Sequence, residues 1–413
     1  MMKILYNIAI RCYRLLVSLA SLWGRKARLL SQGERTAIEN LRQNIHPDGG
    51  YIWIHASSLG EFEQGRPLIE TIRRMQPDRR ILLTFFSPSG YEVRKEYNGV
   101  DYVSYLPFDI PSAVKNFLDI VRPECAIFVK YEFWSNYLHE LKRRKIPTYI
   151  ISAIFRPEQM FFKPGGGFFR DMLRCFTHLY VQDVKSLQLL DSIGLDNVTA
   201  CGDTRFDRVM DINRQARLLP LVEAFADNQF TWVAGSSWGK DEEIFIPYFN
   251  TQASQRLIIA PHEIHEEHLC EIEGRLKRPS IRLSKATEEN IKQAHCLIID
   301  SFGLLSSIYR YGSLAYIGGG FGAGIHNILE AAVYGIPVIF GPNYHKAREA
   351  HEMLDDKCAF TISGQQTFVA VMSQLLDEPG QLKIAGDAAG NYVRRNAGAT
   401  QVIYNDIFDT SHQ

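Results

Sequence analysis

The stretch YIGGGFGAGIHNILEAAVYGIPVIFGP, Tyr316 to Pro342, joins two apolar runs through glycines at 318, 319, 320, 322 and 324 and a polar segment. Its order predicts a strand ending at Gly318, Gly319 and Gly320, then a loop through Gly322 and Gly324. A helix beginning near His326 or Asn327 and a second strand follow. Strand, crossover helix and strand in succession make a parallel βαβ unit. Glycines let an anion approach the backbone, and N–H groups at a helix start favour negative charge. Asn327 and Glu330 are three residues apart and share a helical face, where a carboxylate suits the hydroxyl pair of a ribose. The plainer alternative is a tight turn with a helix cap. A dinucleotide fingerprint is disfavoured. Gly318, Gly320 and Ala323 fit its spacing, but the next strand ends in Gly341-Pro342 instead of an acid.

Outward from this stretch the same alternation recurs. From residue 51 the strands YIWIHA, RILLTFF, YVSYLPF, CAIFVK, TYIISAI, HLYVQD and VTACG are separated mostly by amphipathic segments. After GDTRFDRV the pattern lapses, and it restarts at FTWVAGSS with RLIIAP, HCLIID, LAYIGGG, PVIFGP and AFTIS. Nearly continuous apolar strands belong to parallel sheets covered on both faces. The reading is α/β, with two Rossmann-like doubly wound domains facing a central cleft. The expected division is 1–35 as a membrane-associating helix, 36–212 as the first domain and 213–413 as the second. The last residues are free to pack back on the first domain. With 413 residues, about two domains are the prior.

Composition excludes several classes. Lys plus Arg and Asp plus Glu both number 46, so no net charge draws the chain to nucleic acid. The seven cysteines are scattered without a CxxC pair, which argues against a disulfide framework or a zinc site. PHEIHEEHL places His262, His265 and His268 three apart, but the HExxH register fails, so a metal is the minority reading. Residues 1–36 carry seven Lys or Arg and one acid. There Asn7, Arg11, Arg14, Ser18, Ser21 and Arg25 form one helical stripe, and Leu5, Ala9, Cys12, Leu16, Leu19 and Trp23 another. This predicts an amphipathic helix in a membrane interface with its basic stripe toward anionic headgroups. The alternatives are a first helix packed on its own domain and a tilted spanning helix.

Candidate site residues collect at strand ends. HASSLGE puts Ser58, Gly60 and Glu61 after YIWI, and TFFSPSG puts Ser87 after the next strand. KYEFWSN supplies Lys130 and Glu132, and SAIFRP supplies Arg156. In VAGSSWGKDEE, Ser236 and Ser237 can donate to phosphate or carboxylate oxygens, while Asp241 reads as an ordinary first-turn acid. His262 follows RLIIAP. Each alone is more simply a cap or a surface group; together they make a polar floor for a hydroxylated, anionic substrate.

IWIHASSLGE, GDTRFD and GGGFGAGIHNILEAAVYGIPVIFGP resemble the Kdo (3-deoxy-D-manno-octulosonic acid) transferases of lipopolysaccharide biosynthesis, which are glycosyltransferases of the GT-B fold. The resemblance implies a membrane-bound N-terminus at the cytoplasmic face of the bacterial inner membrane. It implies transfer of Kdo from CMP-Kdo to a lipid A precursor with inversion, no cofactor and no bound metal. It makes Glu61 the catalytic base. Asn327 and Glu330 become nucleotide-binding residues, with Gly318, Gly319, Gly320 and Gly324 before them. The chain departs from the family pattern at Lys130, where an acid is usual, at His262, where an arginine precedes the histidine, and at Arg156, which is shifted. Other readings are a different nucleotide-sugar transferase or epimerase of this fold, and a non-catalytic membrane-surface protein.

Overall fold

The computed structural model describes residues 2–409. It divides into two compact units, Met1–Arg208 with Ala397–Gln413, and Val209–Asn396. The first unit thus includes the chain's last helix, Ala399–Phe408.

In the first unit, strands β1 (Tyr51–Ala56), β2 (Arg80–Phe85), β3 (Tyr102–Tyr105), β4 (Pro123–Val129), β5 (Thr148–Ala153), β6 (His178–Val181) and β7 (Val198–Ala200) form one parallel sheet. Its order is β3-β2-β1-β4-β5-β6-β7. Ile54 lies in register with Leu83 on one side and Ile127 on the other. Alternate residues of each strand enter different cores. Trp53 and Phe128 pack on the layer containing Phe117 and Tyr137, while Ile54 and Ile127 pack on the layer containing Phe62 and Ile403. That two-sided burial is why the strands read as unbroken apolar runs.

The second unit has β8 (Thr231–Ser237), β9 (Arg256–Pro261), β10 (Ser280–Arg282), β11 (Cys296–Ile298), β12 (Leu314–Ile317), β13 (Val338–Phe340) and β14 (Ala359–Thr361). These strands pair in parallel in the order β10-β11-β9-β8-β12-β13-β14. The edge strand β10 was not anticipated: three residues, two of them polar, give no periodicity to read. In both sheets the winding reverses once, at β1/β4 and at β8/β12. Ligand sites of open α/β sheets lie beyond the carboxyl ends of the strands at such reversals.

The N-terminal helix α1 (Met2–Ala20) and its neighbour α2 (Arg25–Asn44) form a hairpin on the first unit. The two predicted stripes of α1 exist, but their orientation corrects the expectation. The polar stripe turns toward the protein. Arg14 pairs with Glu34 of α2 at 3.2 Å, and Asn7 accepts from Asn136 Nδ2 at 2.8 Å. The adjacent Tyr6 donates to Asp109 at 2.7 Å. The apolar stripe points outward instead, with Leu16 61% and Trp23 81% exposed. Among the described residues no helix is long and apolar enough to cross a membrane. The loop around Phe161–Phe169 packs into the first unit: Phe161 is buried and Phe168 meets Tyr6 at 5.6 Å.

Candidate active site

In the first unit the site grows from the end of β1. Ser58 is the N-cap of α3 (Leu59–Met75), and Glu61 is the third helical residue. Glu61 Oε2 accepts from the Ser58 backbone N–H at 2.9 Å and from its hydroxyl at 3.2 Å. This is a capping box, so the turn both starts the helix and aims the carboxylate. Glu61 Oε1 has no hydrogen bond among the described residues. Gly60 is exposed, and a Cβ there would meet nothing within 4 Å. Ser87 caps the next helix, Pro88–Arg94, and its N–H donates to the Ser57 carbonyl at 2.7 Å, fixing the turn.

Glu132, beyond β4, stands on the other side of the winding reversal. It is buried, accepts from Trp134 Nε1 at 2.6 Å and meets His55 Nε2 at 3.1 Å. His55 is fully buried on β1, with Nδ1 3.1 Å from the Thr84 carbonyl oxygen. Nδ1 is nearer still to the Thr84 hydroxyl, at 2.9 Å, and that hydroxyl already accepts from Trp53 Nε1 at 2.8 Å, so its own proton is free to be donated to Nδ1. Burial chiefly, and the charge of Glu132 next, push the Glu61 carboxyl above the usual glutamate range, while His55 and the Ser58 hydrogen bonds oppose them. A helix start favours the ionised form, but burial outweighs it here.

Two further predicted residues of this unit, Lys130 and Arg156, follow β4 and β5. Lys130 has φ 68°, a left-handed conformation, and its ammonium lies 5.4 Å from the Tyr131 ring. The Tyr131 hydroxyl is raised first by burial, and the charges of Arg156, Asp183, Asp203 and Glu61 all reach it. Arg156 is exposed. Asp207, aligned by resemblance with a family motif, serves another purpose. It accepts from the N–H groups of Gly398 at 2.6 Å and Thr400 at 2.8 Å, latching the last helix to the first unit.

In the second unit the glycine turn is held by close backbone packing. A Cβ on Gly318 would lie 2.1 Å from the Ser236 carbonyl oxygen, and one on Gly320 would lie 2.6 Å from Gly341 Cα. Gly319 has φ +90°. The group that organises the turn is Asp241, whose role the sequence reading missed. It is buried; Oδ2 accepts from the N–H groups of Trp238 and Gly319, each at 3.0 Å, and Oδ1 accepts from the Tyr316 hydroxyl at 2.8 Å. The only signal in the sequence was its place three residues after Trp238, at the third position of the helix Gly239–Thr251.

Two expectations fail here. The helix after the glycine turn does not begin near His326 or Asn327: it spans Leu329–Ala332. The N–H groups of Gly324, Ile325 and His326 already donate to the carbonyls of Gly319, Asn343 and Gly318. They therefore do not form a free anion cradle. Asn327 instead caps the short helix by accepting from Leu329 N–H at 3.2 Å, and its amide donates to Glu330 at 3.0 Å. Ser237 is likewise unavailable to a ligand. It is fully buried and donates to Glu242 at 2.9 Å, whose other oxygen meets His268 Nε2 at 3.0 Å. Ser236, with φ 52°, is only half-buried.

The histidine series has no common focus. His268 braces Glu242, and His265 caps the helix Glu266–Arg275. His262 stacks at 4.5 Å on both Trp238 and His326. Trp238 Nε1 donates to His326 Nε2 at 3.2 Å. That bond makes Nε2 the acceptor and places the imidazole proton of neutral His326 on Nδ1. Burial first, then His262, lower its pKa and keep it neutral. The carboxyl ends of β8, β9 and β12 thus carry a half-exposed aromatic platform that the sequence did not announce. Among the described residues no group of three His, Cys, Asp or Glu could hold a metal ion.

Residues 25–208 match the family model of 3-deoxy-D-manno-octulosonic-acid transferase (kdotransferase). That segment is a Kdo transferase family domain. Similarity continues through the second unit. A 3-deoxy-D-manno-octulosonic acid transferase of Aquifex aeolicus is 28% identical over 342 residues, 81% of this chain and 88% of its own. One from Rickettsia bellii is 27% identical over 374 residues, 88% of each chain. The UDP-GlcNAc 2-epimerase of Neisseria meningitidis, solved with UDP-GlcNAc, superimposes with a TM-score of 0.59 at 14% identity, covering 87% of this chain and all of that one. The likeness at that identity is one of fold, and the fold of both units is of the GT-B type.

Proposed function

We propose that this Kdo transferase family chain moves Kdo from CMP-Kdo to a lipid A precursor, with inversion, in lipopolysaccharide biosynthesis. The observation that carries the mechanism is Glu61: a half-buried carboxylate at the winding reversal of the family domain, one oxygen fixed by Ser58 and the other without a hydrogen-bond partner among the described residues. In the proposed step Oε1 takes the proton of the acceptor hydroxyl, whose oxygen bonds to the anomeric carbon of Kdo. The bond from that carbon to the phosphate oxygen breaks on the opposite face, and CMP leaves with the electron pair. Base catalysis of this kind is worth ~10²–10⁴-fold, most when the base's pKa lies near the working pH. The raised pKa of Glu61 moves it in that direction.

In this reading the second unit holds the donor. Glu330 and Asn327 take the ribose hydroxyls, the Gly318–Gly320 turn admits the phosphate, and His262 and His326 stand in for the missing backbone N–H donors. The reaction uses no resident cofactor. The outward apolar stripe of α1 seats the enzyme on the cytoplasmic face of the inner membrane, where a lipid acceptor resides. Exposed contiguous apolar surface of this kind marks an interaction site.

The test is mass spectrometry of a lipid A precursor incubated with CMP-Kdo and enzyme. Wild type should add Kdo, and folded Glu61→Gln should slow turnover by ~10²–10⁴-fold. Near-normal turnover by the variant would remove Glu61 from the mechanism. Turnover of a UDP-sugar and not of CMP-Kdo would overturn the assignment.

A further inference from the structure

A cavity of the first unit lies away from Glu61, between α1 and α2. It measures about 530 Å³, a volume ordinary for small-ligand pockets. Helical spacing builds its walls. Arg11, Arg14, Leu15 and Ser18 fall at i, i+3, i+4 and i+7 on α1, and Ser31, Glu34 and Arg35 face them from α2. Phe108, Ile110 and the exposed Ser112 complete the lining.

Three guanidiniums therefore share this space with one carboxylate. Arg14 is tied to Glu34 at 3.2 Å, and Arg35 donates to Ser18 at 3.2 Å. Arg11 has no hydrogen bond or ion pair among the described residues. The cavity keeps an excess of positive charge, and guanidinium matches phosphate oxygens in geometry. Leu15 in its wall is exposed, and so are Leu16, Leu19 and Leu22 of the same hairpin. A basic pocket bordered by an exposed apolar helix face has the chemistry of a lipid headgroup with its acyl chains.

We infer that the cavity between α1 and α2 seats the phosphate headgroup of an anionic glycerophospholipid of the bilayer on which α1 lies. The inference rests on the membrane-surface part of the proposed function and adds a discrete site to it. Diffuse attraction needs only net charge near the surface. A seat needs room as well, and that difference is testable.

The experiment is co-sedimentation of the full chain with phosphatidylcholine vesicles, with and without phosphatidylglycerol. Wild type should bind both and prefer the anionic vesicles. Ser112→Trp leaves charge unchanged and fills the cavity from an exposed position; it should lose the preference severalfold while still binding phosphatidylcholine. Arg11→Gln with Arg35→Gln should lose more of the preference than Arg25→Gln with Lys26→Gln, which removes equal charge outside the cavity. Equal losses for the two pairs, with Ser112→Trp unaffected, would overturn the seat in favour of diffuse attraction. Binding of glycerol phosphate in solution, without a preference for phosphatidylglycerol, would make it a free-phosphate site and overturn the lipid assignment. Failure of wild type to bind either vesicle would overturn the membrane reading itself. Circular dichroism checks that each variant is folded.

Discussion

Asp241 offers the sharpest test of how the second unit is assembled. Its two oxygens join three elements, through Trp238 N–H after β8, Gly319 N–H in the glycine turn and the Tyr316 hydroxyl on β12. Asp241→Ala leaves all three donors without an acceptor in a site that is 1% exposed. Hydrogen bonds to a charged group contribute ~1.5–3 kcal/mol each, but these share one charge, so the expected loss is about 4 kcal/mol. Asp241→Asn separates geometry from charge. With its carbonyl oxygen toward the two N–H groups and its amide toward Tyr316, whose hydroxyl can accept, all three contacts persist in neutral form. That variant should lose only about 1–2 kcal/mol. Urea unfolding followed by tryptophan fluorescence measures both, with far-UV dichroism to show whether the two units unfold together. Calorimetric titration with CMP should show weaker binding in the same order, Ala worse than Asn. A stability change under about 0.5 kcal/mol for the alanine variant, or equal losses for both variants, would refute the brace.

The same structure sets further outcomes. The proposed base must be ionised, and its pKa is raised, so kcat/KM should fall with decreasing pH and begin to fall above the range of an ordinary glutamate. Glu132→Gln removes the carboxylate that pushes Glu61 upward; the acid limb of a pH–rate profile should move to lower pH, and an unmoved limb would break the link. Gly318→Ala drives a methyl into the Ser236 carbonyl and should destabilise the protein by roughly 3 kcal/mol in the same urea assay, whereas Gly60→Ala, open on all sides, should stay within about 0.5 kcal/mol.

The parts of this molecule that were legible in the sequence share one property: each announces itself over several residues. Thirteen strands are long or apolar enough to show, and β10 is neither. Glu61 was visible from its place after a strand, a small-residue turn and Gly60, and from the family resemblance; the capping box with Ser58 is what the structure adds. The failures are failures of partner, not of pattern. The stripes of α1 were read correctly, but periodicity cannot say which stripe meets the protein; Glu34 and Asn136 decide that from elsewhere in the chain. Ser237 looked like a ligand donor until Glu242 claimed its hydroxyl. The glycine turn suggested a helix start, yet its N–H groups are consumed by carbonyls at 318, 319 and 343. Asp241 passed for a first-turn charge because Tyr316 and Gly319 lie more than seventy residues away.

The return of the last helix has a consequence for biosynthesis. Ile403 and Tyr404 complete the apolar layer over Ile54, Phe62 and Ile127, and the Asp207 latch holds them there. On a ribosome, domains generally fold in order of synthesis. Here the residues that close the first unit emerge only after the whole of the second, so one apolar face of the nascent first unit must wait uncovered while about two hundred further residues are translated. That interval is when this chain is most exposed to aggregation, and the latch is what ends it.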